Sequence, residues 1–295
     1  MTIVSFSELD TFRQCPFKHQ LAYVERWVPE ETPTALARGT RWHQILDHHY
    51  RTLQAWQRGQ ILRQNLKEHL HAGIDPILVE ARNDAHKDDW VGTEGDLLEW
   101  MYMGYVAEYG LDPDWEIVAV EHNAVCTLPT DRGTPSRAKL KFKIDLVVRQ
   151  DGKLWVVDHK TGKDLPTDKE LDIDDQFGLY TWGMRHLGVD VFGQLYNAAR
   201  TYKLKTREME SSERFLRHRM FRTDAELDTI AVEAYKTTRN AHGARGYGGD
   251  APRAPDTDRC KWRCNFTEAC LFGRKGNDTR EFLADTGFHQ NFERH

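Results

Sequence analysis

Nowhere in these 295 residues do eighteen apolar side chains follow one another, and no basic-then-apolar leader opens the chain at Met1-Thr2-Ile3-Val4. Both absences argue against a membrane span and a secretory signal, so a cytoplasmic protein is expected. Positive charge is also short: 41 lysines and arginines face 46 aspartates and glutamates, for a net charge of -5. A chain with that balance does not adhere broadly to nucleic acid, and any contact with phosphates must be local. Cysteine is sparse at five residues, and a cytoplasmic chain rarely keeps disulfides. What is present, 39% hydrophobic and 29% charged residues, describes a globular protein of one large or two modest domains.

The most informative stretch is Asp145 to Lys160. In the run from Ala138 to Val148, Leu140, Phe142, Ile144 and Leu146 alternate with Lys139, Lys141, Lys143 and Asp145, the pattern of a half-buried strand. Asp151-Gly152 then reads as a hairpin turn, and Leu154-Trp155-Val156-Val157 as a second, buried strand ending at Asp158-His159-Lys160. Asp158 and Lys160 point the same way, roughly 6 to 7 Å apart along the strand. Two carboxylates within about 4 Å repel by about 4 kcal/mol at an effective dielectric of 20, so Asp145 and Asp158 call for a cation between them. An oxygen-rich site with open positions suits Mg²⁺ or Mn²⁺, and Lys160 could orient or deprotonate a water or steady a phosphoryl group. Taken alone, D-x-K also fits a solvated hairpin with an Asp-Lys ion pair.

Around that hairpin the chain alternates helix and strand. Ser7 with Asp10 reads as the cap of a first helix, and Pro16 separates it from a second carrying Phe17, Leu21, Tyr23 and Val24. Gly39 to about Tyr109 is helical without internal repeat and rich in rings: Trp42, Tyr50, Trp56, Trp90, Trp100, Tyr102, Tyr105 and Tyr109. Strands are predicted from Trp115 to Val125, Ala138 to Asp158 and Val191 to about Leu204, with helices from Asp174 to Leu187 and Thr223 to Asn240. That order describes an α/β core. Gly243 to Pro255 reads as a loose connection before a short cysteine module and a polar tail. Candidate phosphate contacts are Lys139 to Lys143, Arg200 to Arg207 and Arg214 to Arg222, each of which equally fits a charged outer face.

Cys260, Cys264 and Cys270 crowd together and Cys15 lies near the other end, a spacing that points to metal; Cys126 reads as an ordinary buried thiol. Four thiolates fit structural zinc or an iron-sulfur cluster. Spacing alone favours zinc, since C-x3-C plus C-x5-C matches no common ferredoxin run. Tying Cys15 to Cys260 would close a loop of most of the chain, worth about 5 kcal/mol by analogy with a disulfide, which makes the module a clasp rather than a catalyst.

Together these pieces resemble the RecB-like branch of the PD-(D/E)xK nucleases, in particular the CRISPR-associated and phage-encoded exonucleases that carry a four-cysteine iron-sulfur cluster. The likeness spans most of the chain: Ser5 to Phe17, Gly39-Thr-Arg-Trp-His43 as G-x-x-x-H, Ile144 to Val148, Val156 to Gly162, Gln176 to Tyr180 as Q-x-x-x-Y, and the cysteine triplet. It implies an α/β fold with a mixed central sheet flanked by helices, a helical insertion, and an iron-sulfur module joining N- and C-terminal segments. The corresponding divisions are 1–38, a helical arch over the site at 39–114, a nuclease core at 115–242, and the linker, cluster module and tail at 243–295.

By the same likeness His43, Asp145 and Asp158 bind catalytic Mg²⁺ or Mn²⁺ with the backbone carbonyl of His159, and Lys160 is the catalytic lysine. Gln176 and Tyr180 meet the substrate or support the site. Cys15, Cys260, Cys264 and Cys270 hold a 4Fe-4S cluster, with zinc as the alternative. Two positions depart from the family pattern: Lys143 stands where glycine is frequent, and three residues rather than two separate Cys260 from Cys264.

Without the resemblance, His43, Gln176 and Tyr180 read as packed or surface residues, and Glu121 either joins the metal through water or pairs with a lysine. The expectation is a metal-dependent deoxyribonuclease, an exonuclease on single-stranded DNA ends, with a recombination, helicase or integrase protein as partner and no membrane. The rival is a non-catalytic DNA-binding or scaffold subunit, which would tend to have lost the lysine or a carboxylate.

Overall fold

The computed structural model describes residues 2–84, 92–204, 207–244 and 249–292. Trp90, Lys205 and residues 245–248 of the Gly-Pro-rich stretch lie outside the described residues.

The chain opens with β1 (Thr2–Val4), α1 (Phe6–Gln14), α2 (Pro16–His19), a π-helical turn at Gln20–Val24 and β2 (Trp27–Pro29). Long helices follow: α3 (Thr34–Gln57), α4 (Leu66–Ala81) and α5 (Glu94–Tyr109). Strands β3 (Glu116–Pro129), β4 (Pro135–Gln150) and β5 (Lys153–Gly162) lead to α6 (Asp168–Asp172), α7 (Asp175–His186) and β6 (Val191–Arg200). Next come α8 (Ser211–Arg214), β7 (Phe215–Met220) and α9 (Asp224–Ala244). The C-terminal elements are α10 (Thr257–Trp262), α11 (Thr267–Arg274), α12 (Thr279–Asp285) and β8 (Phe288–Gln290). The α/β reading holds, with helices packed on both faces of a mixed sheet.

The first helix starts earlier than its sequence suggests. Ser5, in extended conformation, accepts the Glu8 N–H and is the cap; Ser7 lies inside the helix. Two candidates compete, and the cap goes to the residue whose backbone is still extended as it leaves β1.

Two compact units are formed. One comprises Met1–Thr32, Val125–Lys141 and Thr229–His295; the other comprises Pro33–Ala124 and Phe142–Asp228. In the first, β1 runs parallel to residues 138–140 of β4, and β2 pairs antiparallel with β8. Its apolar centre joins Phe17, Leu21, Trp27, Phe266, Ala269 and Leu283. Arg280 ties the chain ends together there, reaching Glu25 at 2.5 Å and Asp250 at 2.5 Å.

In the second unit β5 lies antiparallel to β4 and parallel to β6, and β7 runs antiparallel to β6. Strand alternation gives β5 two faces. Trp155 and Val157 join Leu146, Val148, Leu195 and Phe215 against α3 and α5, whose buried residues include Trp42, Ile45, Tyr50 and Tyr105. The opposite face of β6 and β7 meets α6 and α7 through Leu171, Phe177, Tyr196 and Met220. Arg38 of α3 and Glu94 of α5 make a buried bidentate pair at 2.9 and 2.8 Å, which fixes how those helices meet.

β7 was unforeseen and corrects the reading of Arg214 to Arg222 as a phosphate patch. Arg214 lies over the Trp100 ring, Arg217 is half-buried among rings and Asp112, and Arg222 donates to the carbonyls of Leu171, Asp172 and Asp174. These cations are consumed by the fold, because an edge strand with long stems can bury the stems and pair the heads internally.

Candidate active site

The turn at Asp151 and Gly152 sets the site. Both residues have positive φ, 52° and 75°, as a two-residue hairpin of the observed twist requires. From there the ladder runs from Gln150–Lys153 to Leu146–Val157. One residue further, the Asp145 carboxylate acts in place of a backbone acceptor: its Oδ2 takes the His159 N–H at 2.8 Å. Asp145 is thereby held where the β4–β5 ladder ends, beside Asp158, and both are buried, at 7% and 4% exposure.

Each carboxylate has its own basic partner. His43, on α3 one position from the buried Trp42, brings Nδ1 to 3.4 Å from Asp145 Oδ2. Lys160 Nζ stands 2.6 Å from Asp158 Oδ2 and donates to Gln176 Oε1 at 3.0 Å. Gln176 Nε2 donates in turn to the Tyr180 hydroxyl at 3.1 Å, one turn along α7. Asp174 caps that helix by accepting the Gln176 N–H. The predicted D-x-K and Q-x-x-x-Y motifs are thus one connected array.

The two aspartates differ sharply in charge behaviour. Burial raises Asp145, but the hydrogen bond and charge of His43, with the His159 N–H, outweigh it and bring the carboxyl down to about 2. Burial pushes Asp158 up to about 6, the Asp145 charge adds to that, and Lys160 only partly offsets it. Burial opposes the charge on Lys160, yet Asp158 wins and raises the ammonium above its ordinary value. The same contest raises His43, where Asp145 prevails over burial.

A third acidic residue enters through an unusual backbone. Glu121 sits within β3 at φ 52°, a conformation that side-chain-bearing residues rarely adopt. Its carboxylate pairs with Lys143. It also lies with His43 and Asp145 in a group whose ligand atoms are all within 4.8 Å of one another. Of the alternatives open for Glu121 in the sequence, the lysine pairing is seen, and Lys143 has a carboxylate partner where glycine is frequent in the family. Asp158 stands outside that group, its Oδ2 paired with the Lys160 ammonium at 2.6 Å. The Asp145 and Glu121 carboxylates with the His43 imidazole, beside a second buried aspartate, fit a hard divalent cation with open positions.

The imidazole of His159 turns the other way. It is fully buried, stacks on Tyr50 with ring centroids 5.5 Å apart, and accepts from Asn197 Nδ2 at 2.7 Å. Burial lowers it to about 3, so the ring is neutral, and because an amide nitrogen only donates, Nδ1 is the unprotonated nitrogen. Asn197 also accepts from Arg217 Nε at 3.1 Å and donates to Tyr105 at 2.8 Å. Arg217 completes the chain on Asp112 while its guanidinium stacks on Tyr109 and Trp115, 3.4 and 4.2 Å from the ring centroids. Sequence reasoning missed Asn197, Arg217 and Asp112. The only local signal was an aspartate at a positive-φ turn, φ 48°, before a strand.

In the other unit Cys15, Cys260, Cys264 and Cys270 line one cavity of about 250 Å³. Cys15 ends α1 and caps α2, and its sulfur accepts the N–H groups of Lys18 and Ala254 at 3.5 Å. The Cys260 sulfur accepts the Asp256 N–H at 3.5 Å, and burial raises the Cys264 thiol. Among the described residues no three of these sulfurs lie within 4.8 Å of one another. Cys126 is buried, its thiol pushed up to about 11 by burial.

Comparison with known proteins fits the carboxylate site. The profile of the PD-(D/E)XK nuclease superfamily matches residues 3–271, and the chain belongs to that superfamily. Its nucleases act on DNA and typically use Mg²⁺ or Mn²⁺. No curated protein matches the sequence. Among solved structures, a candidate exonuclease from Eubacterium rectale is similar at 14% identity and TM-score 0.46, covering 89% of this chain and 93% of that one. The protein SSO0001 is similar at 13% identity and TM-score 0.31, covering 77% and 82%. No described helix is long and apolar enough to cross a membrane.

Proposed function

We propose that the protein is a metal-dependent DNA exonuclease of the RecB-like, CRISPR-associated or phage-encoded kind, acting on single-stranded ends. The observation that carries the reading is the buried Asp145–Asp158 pair beside Lys160, with His43 and Glu121 gathered on Asp145. His43, Asp145 and Asp158 would hold Mg²⁺ or Mn²⁺, with the His159 carbonyl and Glu121 as further oxygen ligands. A bound divalent ion supplies positive charge to the phosphoryl oxygens and lowers the pKa of water. Lys160, held protonated by Asp158, faces the charge that builds on the phosphoryl group. Gln176 holds Lys160 in place, and Tyr180 holds Gln176.

The helical stretch 39–114 would arch over the site, between an N-terminal segment, 1–38, and the core, 115–242. The segment 243–295 would complete a 4Fe-4S cluster on Cys15, Cys260, Cys264 and Cys270. Four cysteines facing one cavity and N–H donors on two of the sulfurs support it. A helicase, integrase or annealing protein is the expected partner in a cytoplasmic setting.

The test is digestion of 5'-labelled, 3'-labelled and circular single strands with each metal. Linear strands degraded from one end, with circles spared, is the expected result. Circles cut as fast as linear strands would remove the exonuclease assignment, and no cutting with either metal would remove the enzyme.

A further inference from the structure

The extra residue between Cys260 and Cys264 leaves a feature that the cluster and the carboxylates do not use. Lys261, Trp262 and Arg263 fill that spacing, and all three are exposed. Trp262 closes α10 with 73% of its surface in solvent, whereas Trp27, Trp42, Trp115, Trp155 and Trp182 are buried. A ring of that size is normally hidden or used. Lys261 holds its ammonium 4.6 Å from the Trp262 ring centroid, and among the described residues neither Lys261 nor Arg263 has a carboxylate partner. Arg259 is paired with Asp256, and Asp258, one turn before Trp262, is the opposing charge.

Position is fixed as well. The Lys18 ammonium donates to the Arg263 carbonyl, and Thr267 donates to the carbonyls of Cys260 and Cys264, so the segment that presents the ring is anchored at both ends. A flat ring beside two unpaired cations, on a chain whose net charge is negative, complements one class of ligand. Single-stranded nucleic acid offers bases that stack on any ring face and a phosphate every nucleotide for the cations. A protein partner would call for a broader apolar surface.

We propose that Trp262, with Lys261 and Arg263, is a base-stacking post for single-stranded DNA on the cysteine-bearing unit, a contact that rests on the nuclease reading above. Trp262 grips a base, and the two cations hold the flanking phosphates.

The experiment is fluorescence anisotropy of labelled dT20 with the full chain, in calcium so that the strand stays uncut. Trp262→Ala is expected to weaken binding on the order of tenfold, and Trp262→Phe to restore most of it. Lys261→Ala with Arg263→Ala should flatten the slope of log affinity against log salt by about 1.4, since each phosphate a cation no longer neutralises removes about 0.7. Parent-like binding by Trp262→Ala overturns the proposal, as does equal weakening in the alanine and phenylalanine variants. So does intact DNA binding with a shift in self-association, which would make the ring a protein contact. Cleavage of dT20 by the parent in manganese is scored separately. A parent that binds through Trp262 without cutting sinks only the nuclease reading, and a parent that cuts while Trp262→Ala binds normally sinks only this one.

Discussion

The two faces of β5 carry polar groups of opposite kinds. On one, the buried Asp158 carboxylate is held by the Lys160 ammonium at 2.6 Å, near the His43, Glu121 and Asp145 group whose ligand atoms converge within 4.8 Å. On the other, the His159 ring, Asn197, Arg217, Tyr105 and Asp112 form a closed network. Closed networks hold positions, and converging carboxylates with an imidazole bind cations. His159 joins the two, since its backbone N–H holds Asp145 on the open side while its ring is locked on the closed side.

The contrast breaks most visibly at Lys160 and Asp158. Alanine at either should cost at least about a thousandfold in digestion of labelled single strands with Mn²⁺, without loss of the far-ultraviolet circular dichroism. On the closed side, Asn197→Ala should lower turnover by about 10- to 100-fold through Asp145 rather than through contact with DNA. That variant should also raise the Mn²⁺ concentration needed for half activity, a change that unfolding alone would not produce. Arg217→Met leaves Asp112 buried with the Tyr50 hydroxyl as its one side-chain donor among the described residues, and about 3 kcal/mol or more of stability should be lost in denaturant titration.

Much of the open face was legible in the sequence. Strict alternation before Asp145, the Asp-Gly turn and the Asp158–Lys160 spacing are local facts, and local geometry realises them. The closed face was not, because nothing in β7 distinguishes Arg217 from Arg219: one is enclosed by rings far away along the chain, and the other reaches the end of β4 at Gln150. β2 and β8 pair across almost the whole chain, a contact no short window reveals. Glu121 escaped a firm role because its backbone conformation, not its neighbours, aims the side chain.

The aspartates also sharpen the comparison through pH. Asp158 is raised from 3.8 to about 6 on folding, so between about pH 4 and 6 the folded protein holds the extra proton. Its contribution to metal-free stability is therefore fullest below about pH 4 and is lost as pH rises through 6. Asp145, lowered to about 2, acts in the opposite sense and its stabilisation is lost only as pH falls from about 4 to 2. Melting of metal-free protein should show the Asp158 decline between pH 4 and 6, and Asp158→Asn should abolish it. Stabilisation by added Mn²⁺ should grow over that same interval.

The smallest effect is expected at Gly39. A Cβ there would meet Thr161 Oγ1 at 3.5 Å, an ordinary contact, so Gly39→Ala should stabilise α3 by about 0.5 to 1 kcal/mol.

The central claim is that Asp145 and Asp158 converge to hold a divalent ion. Anomalous diffraction from a manganese-soaked crystal tests it most directly. A single strong peak bonded to Asp145 and His43 and touching Asp158 is the expected result. A peak elsewhere, or none while the two carboxylates face apart, would contradict it.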